Sequence, residues 1–130
     1  MILEYDYSMK NKESWKPSKF VYHKGKLRAS RNPEEVSVSS RLVTDITADN
    51  YARYLPQHAR GKLLDLGCGK VPLYAAYREY ISDYVCVYWD NSLHKKEFLD
   101  YSRDLTRTLD FGDEEFETII LSDVLEHIPE

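Results

Sequence analysis

Cysteine is scarce in this chain: 130 residues contain two, Cys68 and Cys86, in apolar strand-like segments without C-x-x-C spacing. The scarcity argues against a disulfide framework or a thiolate metal cluster. The pair reads as reduced packing residues of a cytoplasmic protein. No apolar run approaches the roughly 20 residues of a membrane-spanning helix, so no membrane partner is expected. Neither sign of charge dominates, since 18 basic and 22 acidic residues leave a formal charge of −4. There is thus no electrostatic reason to expect nucleic acid as a partner. The N-terminus, Met-Ile-Leu-Glu-Tyr-Asp-Tyr, lacks the basic and apolar regions of a secretory signal. His23, His58 and His94 have no paired spacing with Cys, Asp or Glu, and no metal site is expected.

With 42% hydrophobic side chains, the chain carries enough apolar material for one folded domain. It divides near Gly61. Residues 1–60 read as an N-terminal arm, a hairpin and a helix. The hairpin is Phe20 to His23, a Lys24-Gly25 turn, then Lys26 to Arg28. The helix runs from a cap at Ser39 or Ser40 through Leu42, Val43, Ile46, Tyr51, Tyr54 and Leu55 until Pro56 stops it. Residues 61–130 alternate strand, glycine turn, helix and strand, the pattern of a parallel sheet with helical crossovers. The spacing predicts strands at Leu63–Leu66, Tyr84–Tyr88, Tyr101–Arg103 and Thr118–Leu121. A helix is predicted from Pro72 to about Tyr80, and a helical turn over Leu93–Leu99. The expected class is α/β, a doubly wound parallel sheet.

In such a sheet, ligands bind beyond the carboxyl ends of the strands, where the strand order reverses beside the first strand. Asp65, Gly67, Gly69, Tyr88, Asp90, Asp104 and Asp123 fall at or near those ends. Glycine after the first strand lets the backbone turn sharply and approach a cofactor. A carboxylate there can accept from an ammonium or from ribose hydroxyls. The basic cluster Lys24, Lys26, Arg28 and Arg31 reads either as a solvated hairpin face or as a contact for an anionic acceptor.

Three segments together carry a family resemblance: Asp65-Leu66-Gly67-Cys68-Gly69, Asp104-Leu105, and Phe116 through Ser122-Asp123-Val124-Leu125-Glu126-His127-Ile128-Pro129. From about Gly61 to Glu130 the chain resembles the class I S-adenosylmethionine-dependent methyltransferases, above all their broad type-11 group. The resemblance implies a Rossmann-like domain, truncated here after about four strands, that transfers methyl from S-adenosylmethionine to a small-molecule acceptor and releases S-adenosylhomocysteine. Asp65, Gly67, Cys68 and Gly69 would line the methionine part of the cofactor. Asp104 would accept from the adenine amino group, with Leu105 beside the ring. Ser122 and Asp123 would border the sulfonium, and Glu126 and His127 would lie on the substrate side.

Two positions depart from that pattern. Val71 stands where a third glycine is usual, and Pro72 where a dinucleotide-binding G-x-G-x-x-G would place one. Tyr88 occupies the place of the acid that grips both ribose hydroxyls, which a phenol cannot chelate. Asp90, two residues on, is the alternative ribose contact, and Trp89 between them is a candidate cover for the adenine face. Methyl transfer needs chiefly alignment and exclusion of water. If the acceptor must lose a proton, His127 is the candidate base. Two other readings remain open: a non-catalytic binding or assembly module that reuses the fold, and a dinucleotide-binding oxidoreductase fragment. Stopping after a fourth strand predicts an uncovered edge, to be met by a further C-terminal segment or a second copy.

Overall fold

In the structure, a computed structural model that describes residues 12–67, 69–89 and 101–129 apart from the side chains of Tyr88 and Ser102, the chain folds as two units. One comprises Lys16–Ala59 and Pro72–Tyr80; the other comprises Met1–Trp15, Arg60–Val71 and Ile81–Glu130.

The first unit begins with a hairpin. Strands β1 (Phe20–His23) and β2 (Lys26–Ala29) pair antiparallel with Phe20 opposite Ala29 and His23 opposite Lys26. Lys24 and Gly25 form the two-residue loop at φ 51° and 77°, and positive φ at both positions matches the twist of the flanking strands. Phe20, Leu27 and Ala29 are buried on one face. Helix α1 (Arg41–His58) packs against β2.

Ser40 occupies the cap position of α1, but its side chain makes no cap hydrogen bond; its Oγ instead accepts from Ser37 Oγ at 2.9 Å. The helix also continues two residues past Pro56. A proline this near the end removes one ladder donor without halting the turn already formed, and Ala59 N–H closes it on Leu55 O at 2.8 Å.

The buried face of α1 differs from the one expected. Thr44, Ala48 and Leu55 are buried, whereas Leu42, Val43, Ile46 and Tyr54 are exposed. Asp45 sets this rotation by accepting Ala29 N–H at 2.9 Å and a two-pronged contact from Arg31 at 3.2 and 3.1 Å. Small side chains at 44 and 48 permit the close approach to β2. Tyr51, one turn along, meets the Phe20 ring edge-on at 6.1 Å.

The segment after the first glycine turn is helical for a single turn, α2 (Tyr74–Tyr77), and not from Pro72 to Tyr80. Tyrosines are middling helix formers, and Leu73, Tyr74, Ala76 and Tyr77 are all buried. Packing, not propensity, therefore sets this backbone.

The second unit is a four-stranded parallel sheet of β3 (Lys62–Leu66), β4 (Asp83–Trp89), β5 (Tyr101–Arg103) and β6 (Thr118–Leu121), in the order β5-β4-β3-β6. Alternation along the strands puts Leu64, Leu66, Val85 and Val87 on one face, where Tyr101, Leu105, Leu109, Phe111 and Phe116 cover them. The Phe111 and Phe116 rings meet edge-to-face at 5.2 Å.

The amino ends of β3 and β6 are tied together. Arg60 N–H donates to Thr118 Oγ1 at 3.0 Å, and Lys62 N–H donates to Glu117 Oε2 at 2.6 Å. Lys62 Nζ also pairs with Glu115 at 3.0 Å and lies over the Phe116 ring. Among the described residues β6 pairs on one side only, and Ile119 and Leu121 are exposed. No described helix is long and apolar enough to cross a membrane. The predicted turn at Leu93–Leu99 lies outside the described residues.

Leu64 is 3% exposed and Leu42 is 71% exposed. Leu64→Ala is therefore expected to cost about 2–5 kcal/mol in urea unfolding, while Leu42→Ala stays within about 0.5 kcal/mol of the parent.

Candidate functional site

The candidate site lies at the carboxyl ends of the four parallel strands, in the second unit. Asp65 sits in β3 opposite Cys86 on one side and Ile120 on the other, and is 2% exposed. Burying a carboxylate in a central strand costs free energy unless it is partnered, so this acid is a deliberate feature of the strand end.

Directly after β3 the chain turns at Gly67, whose φ is +70° and whose N–H donates to Val87 O at 2.8 Å. A Cβ on Gly67 would lie 2.5 Å from Val124 Cγ2 and 3.5 Å from Leu105 Cδ1. The loops after β3, β5 and β6 thus converge on this one glycine. The nearest atom at its open side is a protein side chain, so Val124 as well as backbone conformation demands glycine there.

Gly69 and Val71 also have positive φ, both 53°. Valine is strained in that region by its branched Cβ, yet here it holds a conformation that glycine would adopt freely. Two features hold it: the side chain is fully buried, and the Trp15 indole N–H is shared between Lys70 O at 3.3 Å and Val71 O at 3.1 Å. Trp15 and Val124 were missed by motif reasoning, since nothing local in the sequence links residue 15 to residue 71.

Trp89 ends β4, and its Nε1 is buried without a hydrogen-bond partner among the described residues. Its ring lies 6.4 Å from that of His127 at a 47° tilt. His127 belongs to a 3-10 turn, Leu125–His127, whose last N–H donates to Val124 O at 3.0 Å. The imidazole is exposed, with Nε2 3.8 Å from Glu126 Oε1. Asp123, with φ 55°, is exposed, and Ser122 is half-buried.

Asp104, just past β5, is occupied by its own loop. Its Oδ1 accepts from Thr106 N–H at 3.0 Å and Thr106 Oγ1 at 2.6 Å, while Oδ2 lies 3.3 Å from Arg107 Nε. The Thr106 hydrogen bonds, with the Arg107 charge beside them, hold the carboxyl below its ordinary pKa. Leu105 is half-buried against the sheet core.

The structure therefore brings Gly67 and Leu105 together, and Trp89 and His127 together. Cys68, Asp90 and the Tyr88 side chain lie outside the described residues. Asp65, Asp104, Asp123 and Glu126 lie at this end of the sheet together with Arg103 and Arg107, the latter 3.3 Å from Asp104. Among the described residues no three His, Cys, Asp or Glu side chains gather as a metal site.

What the fold and the site define is a mixed α/β chain with a parallel sheet and an acid- and glycine-bearing loop cluster at the strand ends. No protein-family model matches the chain, and neither does any curated protein or solved structure.

Two outcomes check this geometry. Gly67→Ala is expected to destabilise by about 1–3 kcal/mol through clash and positive φ, and adding Val124→Ala should recover part of that loss, a coupling readable by a double-mutant cycle. In carbon-detected NMR, Asp104 should titrate below an ordinary aspartate, and Thr106→Val should move it back up. Because its folded pKa is depressed, its stabilising contribution is present above the unfolded pKa and is lost as pH falls through the folded one.

Proposed function

We propose that this chain carries the cofactor-binding half of a Rossmann-like, S-adenosylmethionine-dependent methyltransferase acting on a small-molecule acceptor. The observation that carries the reading is the strand order. Counted from β3, the sheet runs third, second, first, fourth, the order of one half of a doubly wound nucleotide-binding fold. Its crevice opens where the order reverses, between β3 and β6. The loops meeting at Gly67 border that crevice.

The residue types fit the cofactor. Asp65, Asp104 and Asp123 are acceptors for its ammonium, amino and hydroxyl groups, and the Trp89 N–H, unpartnered among the described residues, is a donor for a ligand oxygen. S-adenosylmethionine supplies a methyl group activated by positive sulfur. The chain's own contribution is to bind and orient: Gly67 and Gly69 turn the backbone away from the pocket, Trp89 covers its rim, and Ser122 and Asp123 border the reacting end. His127 takes a proton from an acceptor that must lose one.

This reading implies a cytoplasmic enzyme, where a free thiol such as Cys86 stays reduced. It also implies cover for the β6 edge beside Ile119, Leu121 and Leu125, from a further segment or a second copy.

One observation favours a non-catalytic module instead, namely that both oxygens of Asp104 are already engaged by Thr106 and Arg107. The dinucleotide reading is weakened by the single-turn helix Tyr74–Tyr77, which offers little of the helix N-terminus that a pyrophosphate uses.

Calorimetric titration separates the three. S-adenosylhomocysteine is expected to bind and NAD is not, and Asp104→Ala should weaken the former by about tenfold. Binding of NAD alone would sink the methyltransferase reading, and binding of neither would favour the module.

A further inference from the structure

The outer face of the β1–β2 hairpin gathers cations in a way that its folding does not require. His23 and Lys26 stand directly opposite each other across the two strands, and Arg28 follows Lys26 on the same face of β2. Groups able to carry like charge, set opposite each other, destabilise a strand pair. These three residues, with Arg31, Asp45 and Asp49, line an open cavity of about 270 Å³ between the hairpin and α1.

The two acids do not neutralise the cluster. Asp45 is committed to Arg31 and to Ala29 N–H, and that contact is structural because it seats α1 on β2. Asp49 pairs only with Lys26, at 3.4 Å, with both side chains mostly exposed. Such a pair contributes little and rearranges readily. Arg28 adds to the field that holds the Asp45 carboxyl below its ordinary pKa, and its Nε is buried with no hydrogen-bond partner among the described residues. A buried guanidinium N–H without an acceptor is rare in folded proteins and marks a place where an acceptor is missing. Arginine presents its donors as a planar fork that matches the oxygens of a phosphate or carboxylate.

We infer that this cavity is a binding site for a small molecule bearing a phosphate group, with Arg28 as the principal donor and Lys26 swinging from Asp49 to assist. Asp45 and Asp49 line the cavity together with the cations, so the site suits a small anion that meets Arg28 and Lys26 locally and not a polyanion drawn by a broad positive field. The site lies wholly within the hairpin-helix unit and stands or falls independently of the methyltransferase reading.

The test is an NMR titration of the full chain with inorganic phosphate and, separately, with glycerol 1-phosphate, following the backbone amides of residues 23–31. Saturable shifts confined to the hairpin and α1 are expected with at least one probe. Tighter binding of the ester would identify an esterified phosphate as the ligand, and equal binding would identify the free ion. Arg28→Met should weaken the better probe by about tenfold, the value of one charge-assisted hydrogen bond. Lys26→Ala, at the exposed first residue of β2, should weaken it less and is the control should Arg28→Met fail to fold. Absence of saturable shifts with both probes, or affinity unchanged in whichever variants fold, would overturn the assignment. So would tighter binding of a short DNA duplex than of either probe.

Discussion

The position of β3 between two parallel neighbours is the constraint on which the rest of its unit depends. Lys62 to Leu66 are paired on one side with β4, and Leu63 to Leu66 on the other with β6. Leu63, Leu64, Asp65 and Leu66 are consequently all buried, whichever face they occupy. A strand satisfied on both edges cannot simply run on, because its end is boxed in by Val87 on one neighbour and the Val124 loop of the other. The chain must turn where it does, and only a residue without Cβ at positive φ fits. The glycine that looks like a cofactor signature is thus first a packing requirement.

The same economy of space governs the other unit. A helix laid closely on a two-stranded hairpin needs small residues at the contact, and Thr44 and Ala48 supply them. Asp45 then fixes the rotation by satisfying Ala29 N–H and Arg31 together. The larger side chains Leu42, Val43 and Ile46 are turned outward as a result. In this rotation the β2 backbone donor at Ala29 is satisfied by Asp45, whereas leaving it unpaired would be costly.

Electrostatics divides the two regions of chemical interest. The strand ends of the parallel sheet carry acids, while the outer face of the hairpin carries cations in excess of its committed acids. With a formal charge of only −4 over the whole chain, neither field would be noticed in a net count. Local sign, set by which face of which strand a residue occupies, decides what each surface can hold.

Strand positions were legible in the sequence, because short runs such as Thr118–Leu121 and Tyr84–Tyr88 are bounded by turn residues and are too short and too β-branched or aromatic for helices. The hairpin turn at Lys24 and Gly25 was legible for the same local reason. The acids and glycines at the strand ends could likewise be placed from spacing alone. Legibility ended wherever a residue's role depends on a partner distant in the chain. Apolar periodicity in α1 pointed to Leu42, Val43, Ile46 and Tyr54 as well as to Leu55; of these Leu55 is buried, with Thr44 and Ala48 in place of the others. Pro72 suggested a long helix, yet burial of Leu73 and Tyr77 shortened it. Val71 holds a glycine's conformation where it is fully buried and Trp15, remote in sequence, binds its carbonyl. The sequence by itself determined the strands, the turns and the identity of the groups at their ends, since these follow from local stereochemistry. Which faces are buried, which glycine is obligatory and which arginine N–H groups lack an acceptor among the described residues were decided only by tertiary structure, because each is settled by the atoms of another segment competing for the same space.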